Sequence, residues 1–219
     1  MSEKWAYWLE ELGKEQNELV GKKCAHLGEI AKIGLPVPRG FALSVHAYTH
    51  FMNETGATRE IAAMIEASPV TPEDIDGLNR LSLSIRRAVE SKQIPRELES
   101  TILSHYDGLC QKCGRGDVAV STRSAGAVSH PGQYETYLNV KGRVDVLEKV
   151  RRVWASTFNA RSVAYRLRKS LPVASGPIGV AVLEMVQARS AGIAFSVDPN
   201  TGDETRMIVE ATGAWEKAS

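Results

Sequence analysis

Apolar residues recur at helical spacing along the first half of the chain and then switch to alternation beyond about Gly116. Trp5, Trp8, Leu9 and Leu12 predict an opening helix, followed by a polar stretch from Gly13 to Glu18. A second helix is expected from Lys23 to Ile33, with Leu27, Ile30 and Ala31 inward and Gly34 as its terminator. Leu35-Pro36-Val37-Pro38-Arg39-Gly40 cannot be helical, because each proline lacks a donor and drives its predecessor into extended backbone. Phe41-Ala42-Leu43 reads as a short strand, and Ser44 is placed to cap a helix through about Asn53. Thr71-Pro72-Glu73-Asp74 combines a capping hydroxyl, an early proline and acids on the positive end of a helix dipole, so a helix should follow to about Ser91. Ile94-Pro95 opens another, carrying Leu98, Ile102, Leu103 and Tyr106, which should end near Gly114.

After Gly116, Val118 and Val120 alternate with Ala119 and Ser121, and Tyr134 to Val140 reads as a returning strand. The small, polar run from Ser121 to Gly132 between them is a loop by composition. Val146, Leu147, Val150, Val153, Trp154 and Phe158 then form one apolar stripe of a long helix, which Pro172 to Pro177 breaks off. Three more strands are expected at Ile178 to Val186, Ala191 to Val197 and Arg206 to Ala211, with Asp198 to Asp203 turning between the last two. The fold class is α+β, with a helical N-terminal half and a mainly antiparallel sheet in the C-terminal half. Ala67 to Thr71 and Ser170 to Pro177 are linker-like but short, so residues 1–219 read as one unit, with a helical insertion at about 54–114.

Composition narrows the functions. A net charge of +1 leaves no electrostatic footprint of a nucleic-acid or membrane-surface binder, so an anionic ligand must be held by local geometry. No apolar run approaches the roughly 20 residues of a membrane span, and the start from Met1 to Glu11 lacks the basic flank and apolar core of a secretion signal. Three cysteines argue against a disulfide framework, and a cytoplasmic location is expected. Cys110 and Cys113 form a C-x-x-C with no second ligand pair nearby, so they read as ordinary helix-end thiols. His46 and His50 share a helix face and read as surface residues.

Three segments could meet at a phosphate. Gly21-Lys22-Lys23 opens a helix, where free N–H groups and ammonium charge suit an anion. The loop from Ser121 to Gly132 carries Arg123, whose guanidinium could present a fork to phosphate oxygens. Gly132-Gln133-Tyr134-Glu135-Thr136 returns from that loop with amide and hydroxyl donors. Each is weak alone, since a glycine beside two lysines is usually a solvated helix start; their combination carries the inference.

Gly21-Lys22-Lys23-Cys24-Ala25-His26-Leu27-Gly28-Glu29, followed by Gly34 to Phe41, resembles the opening signature of the ATP-binding domain of phosphoenolpyruvate synthase and pyruvate, phosphate dikinase. Gly132 to Val140, Trp154-Ala155-Ser156 with Arg161 and Tyr165-Arg166, Glu184-Met185-Val186, Ala191 to Pro199 and Thr201-Gly202 match later signatures of that domain in the same order. The resemblance implies an ATP-grasp-like first subdomain that passes a phosphoryl group from ATP to a histidine on another domain or subunit. It puts Lys23, Arg123, Gly132 and Thr136 at the ATP phosphates, and Glu184, Met185 and Val186 against adenine through backbone groups and an apolar side chain. It implies ATP and Mg2+ as cofactors, with the Mg2+ ligands outside this chain. A second ATP-grasp subdomain and a swivelling phosphohistidine domain or subunit are the implied partners, and no catalytic residue lies within the chain.

Against the family pattern, Arg123 stands two places later than the usual arginine, the loop before Gly132 is short, and Glu184 replaces a common glutamine. A split arrangement such as phenylphosphate synthase, whose ATP-binding portion is a separate subunit, fits the pattern, as do pyruvate, water dikinase and the rifampicin-phosphorylating enzymes. In each case the isolated chain is expected to be inactive. The alternative is a non-catalytic nucleotide-binding or regulatory module with a decayed site.

Overall fold

The segment Gly40–Leu43 forms strand β2 and is buried at every position, because it lies inside a five-stranded sheet with covered faces. The computed structural model describes residues 3–126 and 134–213, and the chain divides into two compact units, 1–185 and 186–219.

In the first unit the strands are β1 (Ala6–Trp8), β2, β3 (Val120–Ala125), β4 (Thr136–Val140) and β5 (Gly179–Glu184), in spatial order β1-β2-β5-β3-β4. Every neighbouring pair is antiparallel. The helices are α1 (Asn17–Val20), α2 (Lys22–Lys32), α3 (Val45–Glu54), α4 (Ala57–Ala67), α5 (Ile75–Ser91), α6 (Arg96–Lys112), α7 (Arg143–Ser156) and α8 (Ala160–Arg168). The chain is α+β.

Strand alternation divides the core in two. Phe41, Leu43, Val120, Val180 and Val182 share one face with buried residues of α3 and α5–α8, where fully buried Trp154 stacks on Phe51 with ring centroids 4.8 Å apart. On the opposite face Ala42, Ala125, Ala181 and Leu183 meet Leu9, Leu12, Val20, Cys24 and Ala25. The small side chains on that face let α1 and α2 lie close to the sheet.

Several elements match their sequence signals. Ser44 caps α3, its hydroxyl accepting from the Ala47 N–H at 3.4 Å, and Gly34 ends α2 with φ of 81°. Others differ for identifiable reasons. Trp5 to Leu12 contains strand β1 and a single 3-10 turn at Leu9–Glu11, because Ala6–Trp8 pairs with Phe41–Leu43. In α2 the buried residues are Cys24, Ala25 and Gly28, while Ile30 is exposed. Gly28 decides this rotation: a Cβ there would lie 2.4 Å from the Leu12 carbonyl oxygen, so backbone packs on backbone. Thr71-Pro72 forms a turn before α5, and Asp74 is the cap, accepting from the Gly77 N–H at 2.9 Å. The long helix after Gly142 is two, since Asn159 starts α8 by accepting from the Ser162 N–H at 2.9 Å.

The second unit holds β6 (Ser190–Phe195) and β7 (Ile208–Gly213), paired antiparallel with Ile193 opposite Glu210 and Phe195 opposite Ile208. Asp198 organises the turn region between them, its carboxylate accepting from the Asn200 N–H at 2.8 Å. None of the strand residues of this ribbon is buried. Among the described residues no helix is long and apolar enough to cross a membrane.

Candidate functional site

Arg123 belongs to a strand. The sequence places it in a loop, but β3 runs on to Ala125, because it pairs on both edges: Arg123 lies opposite Thr136 of β4 and opposite Ala181 of β5. Directly opposed residues of an antiparallel ladder share a face. Arg123 and Thr136 therefore lie on the Ala181 face, the one that α2 covers.

The start of α2 meets the end of β3 through backbone. Gly21 has φ of 81°, and a Cβ there would sit 2.4 Å from the carbonyl carbon and oxygen of Ala125. The Lys22 N–H donates to the Gly126 carbonyl at 3.2 Å, which ties the first helical residue to the strand end. Gly179 completes the junction: its missing side chain leaves room for the carbonyls of Val20, Leu43 and Ala125, all near 3 Å from where a Cβ would be. Glycine at 21 is thus required twice, by its backbone angle and by the close approach.

This junction brings Lys23 and Arg123 within electrostatic reach. Partial burial pushes the Lys23 ammonium below its ordinary value of 10.5, and the neighbouring Arg123 charge adds to the depression. Among the described residues no carboxylate offsets these two effects. Arg123 is half-buried, and its Nε is a buried donor with no partner among the described residues. Two cations held side by side, one with an unanswered N–H, form a site that an anion would relieve. Cys24, beside Lys23, is fully buried, and burial pushes its thiol up to about 12, so it supplies no anion of its own. Thr136 is exposed on the same face, with its hydroxyl available.

The segment expected at adenine is placed differently. Glu184 lies opposite Val120, hence on the sheet face away from Arg123, and its carboxylate stands 3.9 Å from the Arg115 guanidinium. The Glu184 N–H donates to the Arg39 carbonyl and the Met185 N–H to the Ala119 carbonyl, both at 2.8 Å. Those two donors are therefore committed to the fold, and a base read here would meet carbonyl oxygens, the Met185 side chain or Val186. Val186 begins the second unit. Gly132 lies outside the described residues.

Sequence reasoning missed Glu135. Its carboxylate pairs with Arg86 of α5 at 2.5 Å and accepts from the Tyr137 hydroxyl, and its N–H donates to Ser156 Oγ at 3.3 Å. Arg86 and Ser156 lie far away in sequence, and no local pattern marks them. Among the described residues no group of three or more histidines, cysteines or acids could hold a metal ion.

Fold and site together describe an α+β chain that brings two cations, Lys23 and Arg123, into electrostatic reach where a helix start meets a strand end. The chain belongs to the family described as "Pyruvate phosphate dikinase, AMP/ATP-binding domain", which matches residues 17–217. It is 38% identical over 218 residues to a probable phosphoenolpyruvate synthase of Methanothermobacter thermautotrophicus, covering 97% of this chain and 31% of the relative. It is 34% identical over 220 residues to a probable phosphoenolpyruvate synthase of Methanocaldococcus jannaschii, covering 98% and 18%. To the phosphoenolpyruvate synthase of Aeropyrum pernix it is 36% identical over 219 residues, covering 96% and 26%. The chain thus spans less than a third of the length of these relatives.

Proposed function

We propose that this chain is the ATP-binding portion of a dikinase-type phosphotransferase, which passes a phosphoryl group from ATP to a histidine carried on another domain or subunit. The observation that carries the reading is that Arg123 stands opposite Thr136 and within electrostatic reach of Lys23, with its Nε buried and without a partner among the described residues. Phosphoryl transfer asks little covalent chemistry of the protein; it needs phosphates positioned and their charge neutralised. Lys23 and Arg123 supply charge and Thr136 supplies a hydroxyl donor, and the family resemblance adds Gly132 as a phosphate-contacting glycine. Glu184, Met185 and Val186 form the adenine-facing segment, read through carbonyls and apolar contact.

Mg2+ would be held by residues outside this chain and would supply further neutralisation of phosphate charge. The isolated chain accordingly binds nucleotide weakly and does not turn over. A second ATP-grasp subdomain is the natural cover for the β6–β7 ribbon. A lone two-stranded ribbon is marginal in water, and this one carries Ile193, Phe195 and Ile208 on one face and Val209 on the other. A separate ATP-binding subunit of the phenylphosphate synthase kind and a domain of a longer phosphoenolpyruvate synthase both accommodate this arrangement; a cytoplasmic setting suits either.

Calorimetric titration with ATP, with and without Mg2+, tests the proposal. Saturable binding that Lys23→Ala abolishes supports it, and absence of heat from the folded wild-type chain indicates the decayed-site alternative.

A further inference from the structure

Thr136 can face Arg123 only if β4 is held in one register, and among the described residues β4 is an edge strand paired with β3 alone. Its pairing with β3 shifts between Val120 and Thr122, so an irregularity already interrupts the ladder. A slip of one residue would turn Thr136 to the helix-covered face and Tyr137 to the α2 face. Side-chain anchors are therefore needed beyond the ladder itself.

The anchors lie on the helix-covered side. Tyr137 is opposite Thr122, which is fully buried on that face, and the Lys149 ammonium lies 5.4 Å from the Tyr137 ring centroid. Glu135 bonds to the Tyr137 hydroxyl, to Arg86 and, through its backbone N–H, to Ser156 at the end of α7. Arg86 is itself steadied by Glu90, one turn on, at 3.8 Å. Both neighbours of Thr136 are thus pinned to α5 and α7. Burial and the Glu135 carboxylate together push the Tyr137 hydroxyl well above its ordinary range, which keeps it a donor across the usable pH range.

We infer that Arg86 and Glu135 are positioning residues for nucleotide binding: their ion pair sets the β4 register that presents Thr136 beside Arg123 to the phosphates. This rests on the ATP-binding reading above. It gives the helical stretch between Glu54 and Gly114 a part in the site, since Arg86 reaches β4 from α5.

The test compares ATP with adenosine, both measured by competition against a fluorescent ATP analogue on the 219-residue chain. Glu135→Gln and Arg86→Gln should each weaken ATP by roughly tenfold while leaving adenosine within about twofold. The double variant should be no weaker than either single one, and the swapped pair Arg86→Glu with Glu135→Arg should recover part of the loss. Parallel loss of ATP and adenosine together with a lowered melting temperature would mean general damage and overturns the inference, as does wild-type ATP affinity in Glu135→Gln. Failure of the wild-type chain to bind ATP at all overturns the ATP-binding reading first and the positioning role with it.

Discussion

Arg123 and Thr136 stand directly opposite each other on neighbouring antiparallel strands, so a guanidinium from one and a hydroxyl from the other face the same way. If they share a triphosphate, Thr136→Val should weaken ATP by roughly ten- to a hundredfold, the worth of one hydrogen bond to a charged group. Thr136 is exposed on an edge strand, so its melting temperature should hardly move. Equal ATP affinity in Thr136→Val, read by calorimetry, would remove the hydroxyl from the site.

Lys23 gives the site a pH signature. Its ammonium is depressed below 10.5, first by partial burial and then by repulsion from Arg123. It therefore loses its proton at a lower pH than a free lysine, and ATP affinity should fall as pH rises through that depressed value. A bound triphosphate turns net repulsion into attraction and raises the value again, so binding in this window must take up protons. Calorimetry at alkaline pH in buffers of different ionisation enthalpy should show that uptake in the wild type and lose it in Lys23→Ala. The same uptake in both proteins would place the titrating group elsewhere.

The chain's hinge between strand end and helix start is equally open to trial. Gly21→Ala must hold a side chain at φ of 81° and press it within 2.4 Å of Ala125 backbone. The two costs together should destabilise the first unit by about 2 kcal/mol or more, seen as a lowered denaturation midpoint. Gly34→Ala is the control: its φ is also 81°, but nothing lies within 4 Å of the added carbon, so only the backbone cost remains. Equal losses in the two variants would mean that the close approach to Ala125 contributes nothing.

How far the sequence reveals this molecule depends on whether a feature is local. Ser44, Gly34 and the apolar run of β5 are written in neighbouring residues, and α3, the end of α2 and the central strand follow from them. Lys23 is legible for the same reason, as the second residue of a glycine-started helix. The sequence offers Arg123 as a candidate anion ligand but not as a strand residue, because its small, polar neighbours read as loop while two partner strands hold it extended. The large apolar residues of α2 point to one buried face, whereas close packing at Gly28 against Leu12 selects the small ones. Glu184 illustrates a subtler limit: its place on the strand is plain, but which face it takes depends on register with Val120. Glu135 was invisible as a clamp, since Arg86 and Ser156 meet it only after the sheet and helices assemble.

The thiols differ enough in burial to be told apart. Cys24 is fully buried and pushed up to about 12, and Cys110 is buried in α6, whereas Cys113 at the end of α6 is partly exposed. Attack on a disulfide reagent requires thiolate, so both access and the proton affinity of the sulfur set the rate. Burial raises Cys113 above its ordinary 9.0; a hydrogen bond with Arg39 works against this, and Glu184 reinforces it. One thiol of the native chain should therefore react with an aromatic disulfide, slowly at pH 7 and with a rate still climbing at pH 9. All three should react after denaturation. Because the Cys113 sulfur shares its surroundings with the Glu184 carboxylate, Glu184→Gln should remove one raising influence and speed the labelling at neutral pH. Two thiols reacting at equal rates in the folded chain, or a rate indifferent to Glu184→Gln, would contradict this arrangement of Arg39, Cys113 and Glu184.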